Sequence, residues 1–312
     1  MKNEFKQEYE KLRKIAEDEA AERREAAYQA EPELKRIAEE RRSVIFQMGL
    51  ISAASGDPAA AREKALSEIQ RLNKLEEDIL LKLGYEKDHL EPRYRCSMCS
   101  DTGFLGNVIQ KPCSCYLKRL SARDFASSNL NSGESFENFD LNIFKDLRQR
   151  SLMKNAKALC EQYANGLPDS TETKNLLLMG KTGLGKTYLV NCIAHRAFQR
   201  NVHVIKLTGY NLIGRVLKSI REGTNIEDVM NVPVLCIDDL GTEPMMTNIT
   251  REYIFSILNE RLNAGLNTVV ATNLSYDDIL DRYEERVFSR LISLRYCKVL
   301  MLEGEDVRLS VK

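Results

Sequence analysis

The amino-acid sequence predicts an α/β protein whose second half is a doubly wound parallel sheet. A helical hairpin and a small cysteine ribbon precede it. Three observations support this. From about residue 141, short apolar runs alternate with stretches of helical period. One of those runs leads directly into a glycine-rich turn and a helix. Residues 1–92 are charged, almost free of glycine and periodic at helical spacing.

Composition limits the function classes. The 312 residues carry 46 Lys plus Arg against 46 Asp plus Glu, so the chain is not a basic coat for nucleic acid. Any such contact must come from local patches. No apolar run approaches membrane-spanning length, and Met1-Lys2-Asn3-Glu4-Phe5 lacks an apolar signal core. A cytoplasmic protein without membrane contact is expected. Eight cysteines in such a chain point to metal ligands or buried thiols rather than disulfides.

In the N-terminal part, Leu66, Ile69, Leu72, Leu75, Ile79 and Leu83 recur at helical spacing. Phe5, Tyr9, Leu12 and Ile15 lie earlier, and Leu34, Ile37, Val44, Ile45 and Met48 follow Pro32. Ser55-Gly56-Asp57-Pro58 reads as a turn, so two antiparallel helical arms joined there are expected over 1–92. Their charges read as a solvated face, with a spare side open to a partner. Residues 93–120 hold the cysteine cluster, and the Ser- and Asn-rich 121–140 reads as a linker. Strands are expected at 175–179, 202–207, 233–238, 267–272 and 296–302, with helices between them.

The glycine-rich turn is Gly180-Lys181-Thr182-Gly183-Leu184-Gly185-Lys186-Thr187, which fits the phosphate-loop pattern G-x-x-x-x-G-K-[ST]. The apolar Asn175–Met179 before it and Tyr188–Ala194 after it make strand, turn and helix, the context a phosphate cradle needs. Gly183 and Gly185 let backbone N–H groups approach phosphate oxygens, and the helix N-terminus adds partial positive charge. Lys186 is placed to reach the β- and γ-phosphates, and the Thr187 hydroxyl to ligate Mg²⁺.

Downstream, Val234-Leu235-Cys236-Ile237-Asp238-Asp239 is an apolar strand ending in two carboxylates. Beside a phosphate loop, Asp238 suits the Mg²⁺ shell and Asp239 the polarisation of an attacking water. A solvated acidic turn is the weaker alternative. Val269-Val270-Ala271-Thr272-Asn273 is a second such strand, and strand carboxyl ends face the ligand crevice of a parallel sheet. Asn273 could there sense the γ-phosphate or orient water.

Cys96-Ser97-Met98-Cys99 is separated by thirteen residues from Cys113-Ser114-Cys115. Two close pairs can supply a closed tetrahedral shell of four thiolates, which makes a bound zinc structural. Four ordinary thiols and an iron–sulfur cluster remain alternatives. Cys160, Cys192, Cys236 and Cys297 sit in apolar contexts and read as core. Arg215, Lys218 and Arg221 fall three residues apart in an expected helix. They form either a basic stripe for a phosphate backbone or a solvated helix face.

The chain resembles the AAA+ ATPases of the DnaC/DnaI helicase-loader and IstB transposition-helper group. The resemblance lies in Gly180–Thr187, Ile237-Asp238-Asp239-Leu240-Gly241-Thr242-Glu243, Ala271-Thr272-Asn273 and Glu285-Arg286-Val287-Phe288-Ser289-Arg290-Leu291. Ser135-Phe136-Glu137-Asn138-Phe139-Asp140 looks like the opening segment of that group's ATPase domain. The resemblance covers roughly 135–312, more loosely the cysteine cluster. It implies an ATPase domain over 141–312 without a full helical lid. It also makes Arg290 an arginine finger with Arg286 its neighbour, and places Arg308, in Gly304-Glu305-Asp306-Val307-Arg308, on the γ-phosphate of its own subunit. Asp239 stands where most AAA+ enzymes carry glutamate, which implies slow, partner-stimulated hydrolysis. A replicative hexameric helicase, single-stranded DNA and, with ATP bound, further copies of the chain are the partners implied. A transposase is the alternative, and a nucleotide-binding adaptor with negligible hydrolysis a third reading.

Overall fold

The structure is a computed structural model describing residues 5–53, 58–106, 110–127, 133–169, 174–293 and 295–309. It divides into two compact units, Met1–Tyr116 and Leu117–Lys312. The boundaries read from composition, at 92, 120 and 140, do not coincide with this division.

The first unit contains three long helices, not two arms: α1 (Lys6–Ala30), α2 (Pro32–Ala53) and α3 (Pro58–Lys82). The extra break falls at Glu31, whose backbone is extended (φ −141°, ψ 95°). Pro32 causes it, because proline disfavours helical geometry in the residue before it. α2 and α3 run antiparallel: Arg41 pairs with Glu76, Arg71 with Glu40, and Leu34 and Leu80 share one buried cluster with Ala27 and Leu90. The turn expected at Ser55–Asp57 lies outside the described residues. The helical stripe is only partly covered, since Leu72 is buried while Leu66 and Leu83 are exposed. Arg23 and Arg24 of α1 donate to the backbone carbonyls of His89, Leu90 and Glu91, fixing the chain that enters the cysteine ribbon.

The ribbon is a minimal antiparallel hairpin, β1 (Phe104–Leu105) with β2 (Lys111–Pro112). Too small to bury much apolar surface, it leans on aromatic rings. Tyr116 contacts the rings of Phe5, Tyr9 and Phe104. Helix α4 (Ser114–Ser127) follows and covers the start of the stretch read as a linker. Further along that stretch, Phe136 and Phe139 are buried in the second unit's core.

The second unit is a five-stranded sheet. Its elements are α5 (Leu147–Gly166), β3 (Asn175–Met179), α6 (Lys186–Gln199), β4 (Val204–Thr208), α7 (Gly209–Glu222), α8 (Glu227–Asn231), β5 (Val234–Leu240), α9 (Thr250–Asn263), β6 (Asn267–Thr272), α10 (Tyr276–Leu291) and β7 (Cys297–Met301). The strand order is β4-β5-β6-β3-β7, and every neighbouring pair is parallel. All five expected strands are present, shifted by at most two residues. Both faces are covered, so the strands read as near-continuous apolar runs. Alternation divides them: Leu176, Leu178, Cys236 and Ala271 face a cluster that includes Ile193 of α6 and Met153 of α5. Leu177, Met179, Ile237 and Val270 face Val216, Ile257 and Val287 of α7, α9 and α10. Cys160, Cys192, Cys236 and Cys297 are buried, as expected of core thiols.

Arg261 is fully buried and, among the described residues, has no carboxylate partner. Its guanidinium donates instead to the carbonyls of Val229, Met230, Val232 and Asn267 and to the Thr268 hydroxyl. It thereby satisfies the carbonyls at the end of α8. Burial lowers its pKa to about 10.

Candidate nucleotide site

The phosphate loop joins β3 to α6 at the carboxyl edge of the sheet. Gly185 caps α6 in the left-handed region (φ 86°). Gly183 is also left-handed (φ +74°), and a Cβ there would lie 1.8 Å from Asp306 Oδ1. Leu184 is buried in the core and anchors the loop, while Thr182 is exposed at its tip. The Gly180 N-terminal end abuts the carbonyl of Leu302.

Lys186 folds back onto the loop. Its Nζ donates to the carbonyls of Gly180 (2.6 Å) and Lys181 (2.7 Å). Burial lowers its pKa, opposed by the charges of Asp239 and Asp238 and reinforced by Arg308. The Thr187 hydroxyl donates to Asp238 Oδ1 at 3.2 Å. Loop and acidic strand therefore meet at the two groups expected to flank magnesium. Oxygen donors at this spacing fit a hard cation that keeps several waters. Burial raises the Asp238 pKa, and the ammonium of Lys206 counters that shift.

Asp239 has φ 49°, a left-handed value rare for a residue with a side chain. It sits where the β5–β6 register shifts between Ile237 and Leu240. The turn is closed by the Thr242 N–H and hydroxyl, both donating to the Asp239 carbonyl. Strain of this kind is held in place by surrounding structure and concentrates at functional sites. Asn273, at the end of β6, places Nδ2 3.4 Å from Asp239 Oδ1.

Arg308 is exposed and pairs with Asp306 (Nη2–Oδ2 2.6 Å). Its segment is tied to the loop, because the Val307 N–H donates to the Gly183 carbonyl. Gln149 of α5 braces it further, exchanging hydrogen bonds with the Glu305 backbone. Arg290 is not brought to this site. Its Nε donates to Asn259 Oδ1 on α9 (2.9 Å), and Arg286 and Arg290 both lie over the Phe255 ring.

Three groups lay beyond the sequence reading. Lys206 of β4 pairs with Asp238. Glu243 is buried and bonds the Tyr283 hydroxyl, the Gly241 N–H and Arg282, tying the turn after Asp239 to α10. Glu284 breaks α10 with non-helical geometry (φ 66°, ψ 170°) just before the arginines, and pairs with Arg251. A charged residue inside an apolar strand was the available signal for Lys206. Glu243 stood at the end of the Ile237–Glu243 block, but its contacts with Tyr283 and Arg282 follow from neither period nor motif, and Glu284 had no signal at all.

The basic stripe on α7 is largely offset. Arg215 pairs with Asp228 at 2.7 Å and Lys218 approaches Glu222 at 4.0 Å, while Arg221 Nε reaches the Leu217 carbonyl. Helix periodicity places the three cations together but says nothing of Asp228 arriving from α8.

In the first unit, the four sulfurs of Cys96, Cys99, Cys113 and Cys115 lie within 4.8 Å of one another. Cys96–Cys113 is 3.8 Å and Cys99–Cys115 3.5 Å. Four thiolates about a tetrahedral zinc stand about 3.8 Å apart, so the donors fit that ion. The Asp101 carboxylate accepts from the N–H groups of Arg95 and Cys96, and the Gly103 N–H points at Cys99 Sγ. The Cys99 and Met98 amides draw the Cys96 thiol down to about 7, whereas burial pushes Cys115 up to about 12.

Residues 92–312 match the sequence model of the IstB-like ATP binding protein family. The chain belongs to that family. Its members are ATP-binding proteins, in keeping with the phosphate loop on a parallel sheet. The chain is also 27% identical over 168 residues to the replicative helicase loader DnaI of Bacillus subtilis (strain 168), covering 48% of this chain and 54% of that protein. It is 29% identical over 178 residues to the chromosomal replication initiator protein DnaA of Rickettsia bellii (strain RML369-C), covering 54% of this chain and 37% of that protein. A crystal structure of the DnaC helicase loader superposes with TM-score 0.47 at 24% identity, covering 55% of this chain and 98% of that one. The chain thus spans about half of the loader and about a third of the initiator. Among the described residues, no helix is long and apolar enough to cross a membrane.

Proposed function

We propose that this IstB-like protein is a slow AAA+ ATPase that loads a ring-shaped replicative helicase onto single-stranded DNA in the cytoplasm. The observation that carries the reading is the meeting of Thr187 with Asp238 beneath the glycine loop. The similarity to a helicase loader favours the partner.

The roles follow from placement. ATP lies along Gly180–Thr187, with Lys186 leaving its carbonyls for the phosphates. Thr187 and Asp238 would hold magnesium, which neutralises phosphate charge. Asp239 and Asn273 position the water, and an aspartate, one methylene short of glutamate, does so from farther away. Arg308 exchanges Asp306 for the γ-phosphate. Arg290, turned toward α9, is offered to a neighbouring copy's nucleotide, so ATP favours assembly and hydrolysis loosens it. The four cysteines hold structural zinc, and the first unit docks the helicase. DNA contact is weak and salt-sensitive, because acids offset two of the three α7 cations.

A second reading follows from the matched family itself: an ATPase helper of a transposase. One experiment separates the two. The full chain is used as bait in cell extract, with ATP and with ADP, and captured proteins are read by mass spectrometry. The captured ring helicase is then tested for ATP-dependent retention on circular single-stranded DNA. Retention that requires ATP and disappears with Lys186→Ala is expected. Capture of a transposase and no helicase supports the second reading and overturns the first.

A further inference from the structure

β4 is an edge strand of the sheet, and Val204 and Ile205 on it are buried. Lys206 follows them, with its side chain only 9% exposed, and its Nζ lies 3.5 Å from Asp238 Oδ2. Register explains the meeting. Lys206 pairs with Cys236 and Thr208 with Asp238, so Lys206 and Asp238 project from one face of adjacent strands, two residues out of step. The other carboxylate oxygen, Oδ1, accepts from the Thr187 hydroxyl and from the Asp239 N–H (3.1 Å). The phosphate-loop lysine feels the charge of Asp238, but its ammonium is hydrogen-bonded to the loop's own carbonyls of Gly180 and Lys181, so Lys206 is the cation in contact with the carboxylate. Among the described residues, Asp238 is the ion-pair partner recorded for Lys206. A nearly buried ammonium is costly unless paired, and a buried carboxylate likewise.

We propose that Lys206 is a tethered cation that holds Asp238 and withholds it from free magnesium. The metal is then accepted only when it arrives with nucleotide phosphate. This rests on the reading of Asp238 as the magnesium carboxylate. The physics is competition for one anion. With Lys206 in contact, the carboxylate offers a divalent cation little net charge, and a second cation nearby is repelled. Bound triphosphate restores the negative charge, so the site takes the metal–nucleotide complex as a unit. Without the ammonium, Asp238 and Asp239 become a two-carboxylate site open to bare metal.

The test uses the full chain and three Lys206 variants: Lys206→Met, Lys206→Gln and Lys206→Arg. Lys206→Gln removes the charge while keeping a donor for Asp238, which guards against misfolding of the Met variant. Mn²⁺ is the metal probe, followed by paramagnetic resonance without nucleotide. A fluorescent ATP analogue titrated with Mg²⁺ gives the metal requirement with nucleotide present. The neutral variants should bind Mn²⁺ alone at least about ten-fold more tightly than the parent and reach half-saturation with the analogue at lower Mg²⁺, while Lys206→Arg stays like the parent. Folded neutral variants whose Mn²⁺ affinity and Mg²⁺ requirement both match the parent overturn the proposal. Asp238→Asn separates the premise from the inference. If it raises the Mg²⁺ requirement while the Lys206 variants change nothing, only the role of Lys206 falls. If Asp238→Asn changes nothing either, the magnesium role of Asp238 falls with it.

Discussion

The cysteine ribbon and the phosphate loop are both short turns suited to an ion, four sulfurs for a cation in one and backbone N–H groups for anionic phosphate in the other, yet they stand on opposite kinds of support. The ribbon has two-residue strands, a few aromatic rings and four converging sulfurs. The phosphate loop projects from a five-stranded sheet covered on both faces, with Leu184 sunk in the core. In the first the ion would supply the fold. In the second the fold supplies the site, and Lys186 and Lys206 are held there by the loop carbonyls and by Asp238. A four-cysteine cluster fit for a metal and a phosphate loop in one chain would therefore respond to removal of their ligands in opposite ways.

The largest expected effect is on the ribbon. Cys99→Ser, or a strong zinc chelator, should unfold residues 93–116 and open them to protease, because structural zinc contributes on the order of 10 kcal/mol. Nucleotide binding by the second unit should persist. Limited proteolysis with mass spectrometry, alongside an ATP-binding assay, reads both. Ribbon and nucleotide binding lost together would break the contrast.

The converse perturbation is Arg261→Met. It strips the carbonyls of Val229, Val232 and Asn267 of their donor in a fully buried place. A loss of about 3–5 kcal/mol in the second unit is expected. Denaturant unfolding followed by nucleotide-analogue fluorescence should show it, with the metal content of the ribbon unchanged.

These two sites were also unequally legible in the sequence. The phosphate loop and the Ile237-Asp238-Asp239 strand end could be placed from motif and apolar run alone, since a parallel sheet puts strand carboxyl ends in one crevice. The cysteine spacing announced a four-sulfur cluster, and the sulfurs do converge. What stayed hidden depends on tertiary approach. Lys206 meets Asp238 only through strand register, Glu243 meets Tyr283 across 40 residues, and Gln149 reaches Glu305 across 156. Asp228 offsets Arg215 from outside the helix whose period suggested a basic stripe. The third helix was nearer to hand: Pro32 stood in the sequence as a helix break.

Arg290→Ala gives the smallest expected effect on ligand binding. Arg290 rests on Asn259 and Phe255, away from its own chain's phosphate loop. Nucleotide affinity should change by less than about two-fold, while turnover in the assembled state falls by about 10³ or more if the guanidinium serves a neighbour's γ-phosphate. Equilibrium binding and steady-state hydrolysis, measured at the same protein concentration, separate these. A large loss of affinity would place Arg290 in its own subunit's site instead.

The most direct measurement is titration calorimetry of ATP with magnesium into the folded 312-residue chain, beside Lys186→Ala. One nucleotide per chain for the parent, and none for Lys186→Ala despite an unchanged melting profile, is the predicted result. No uptake by the parent, or equal uptake by both proteins, would contradict a triphosphate held by the Gly180–Thr187 loop.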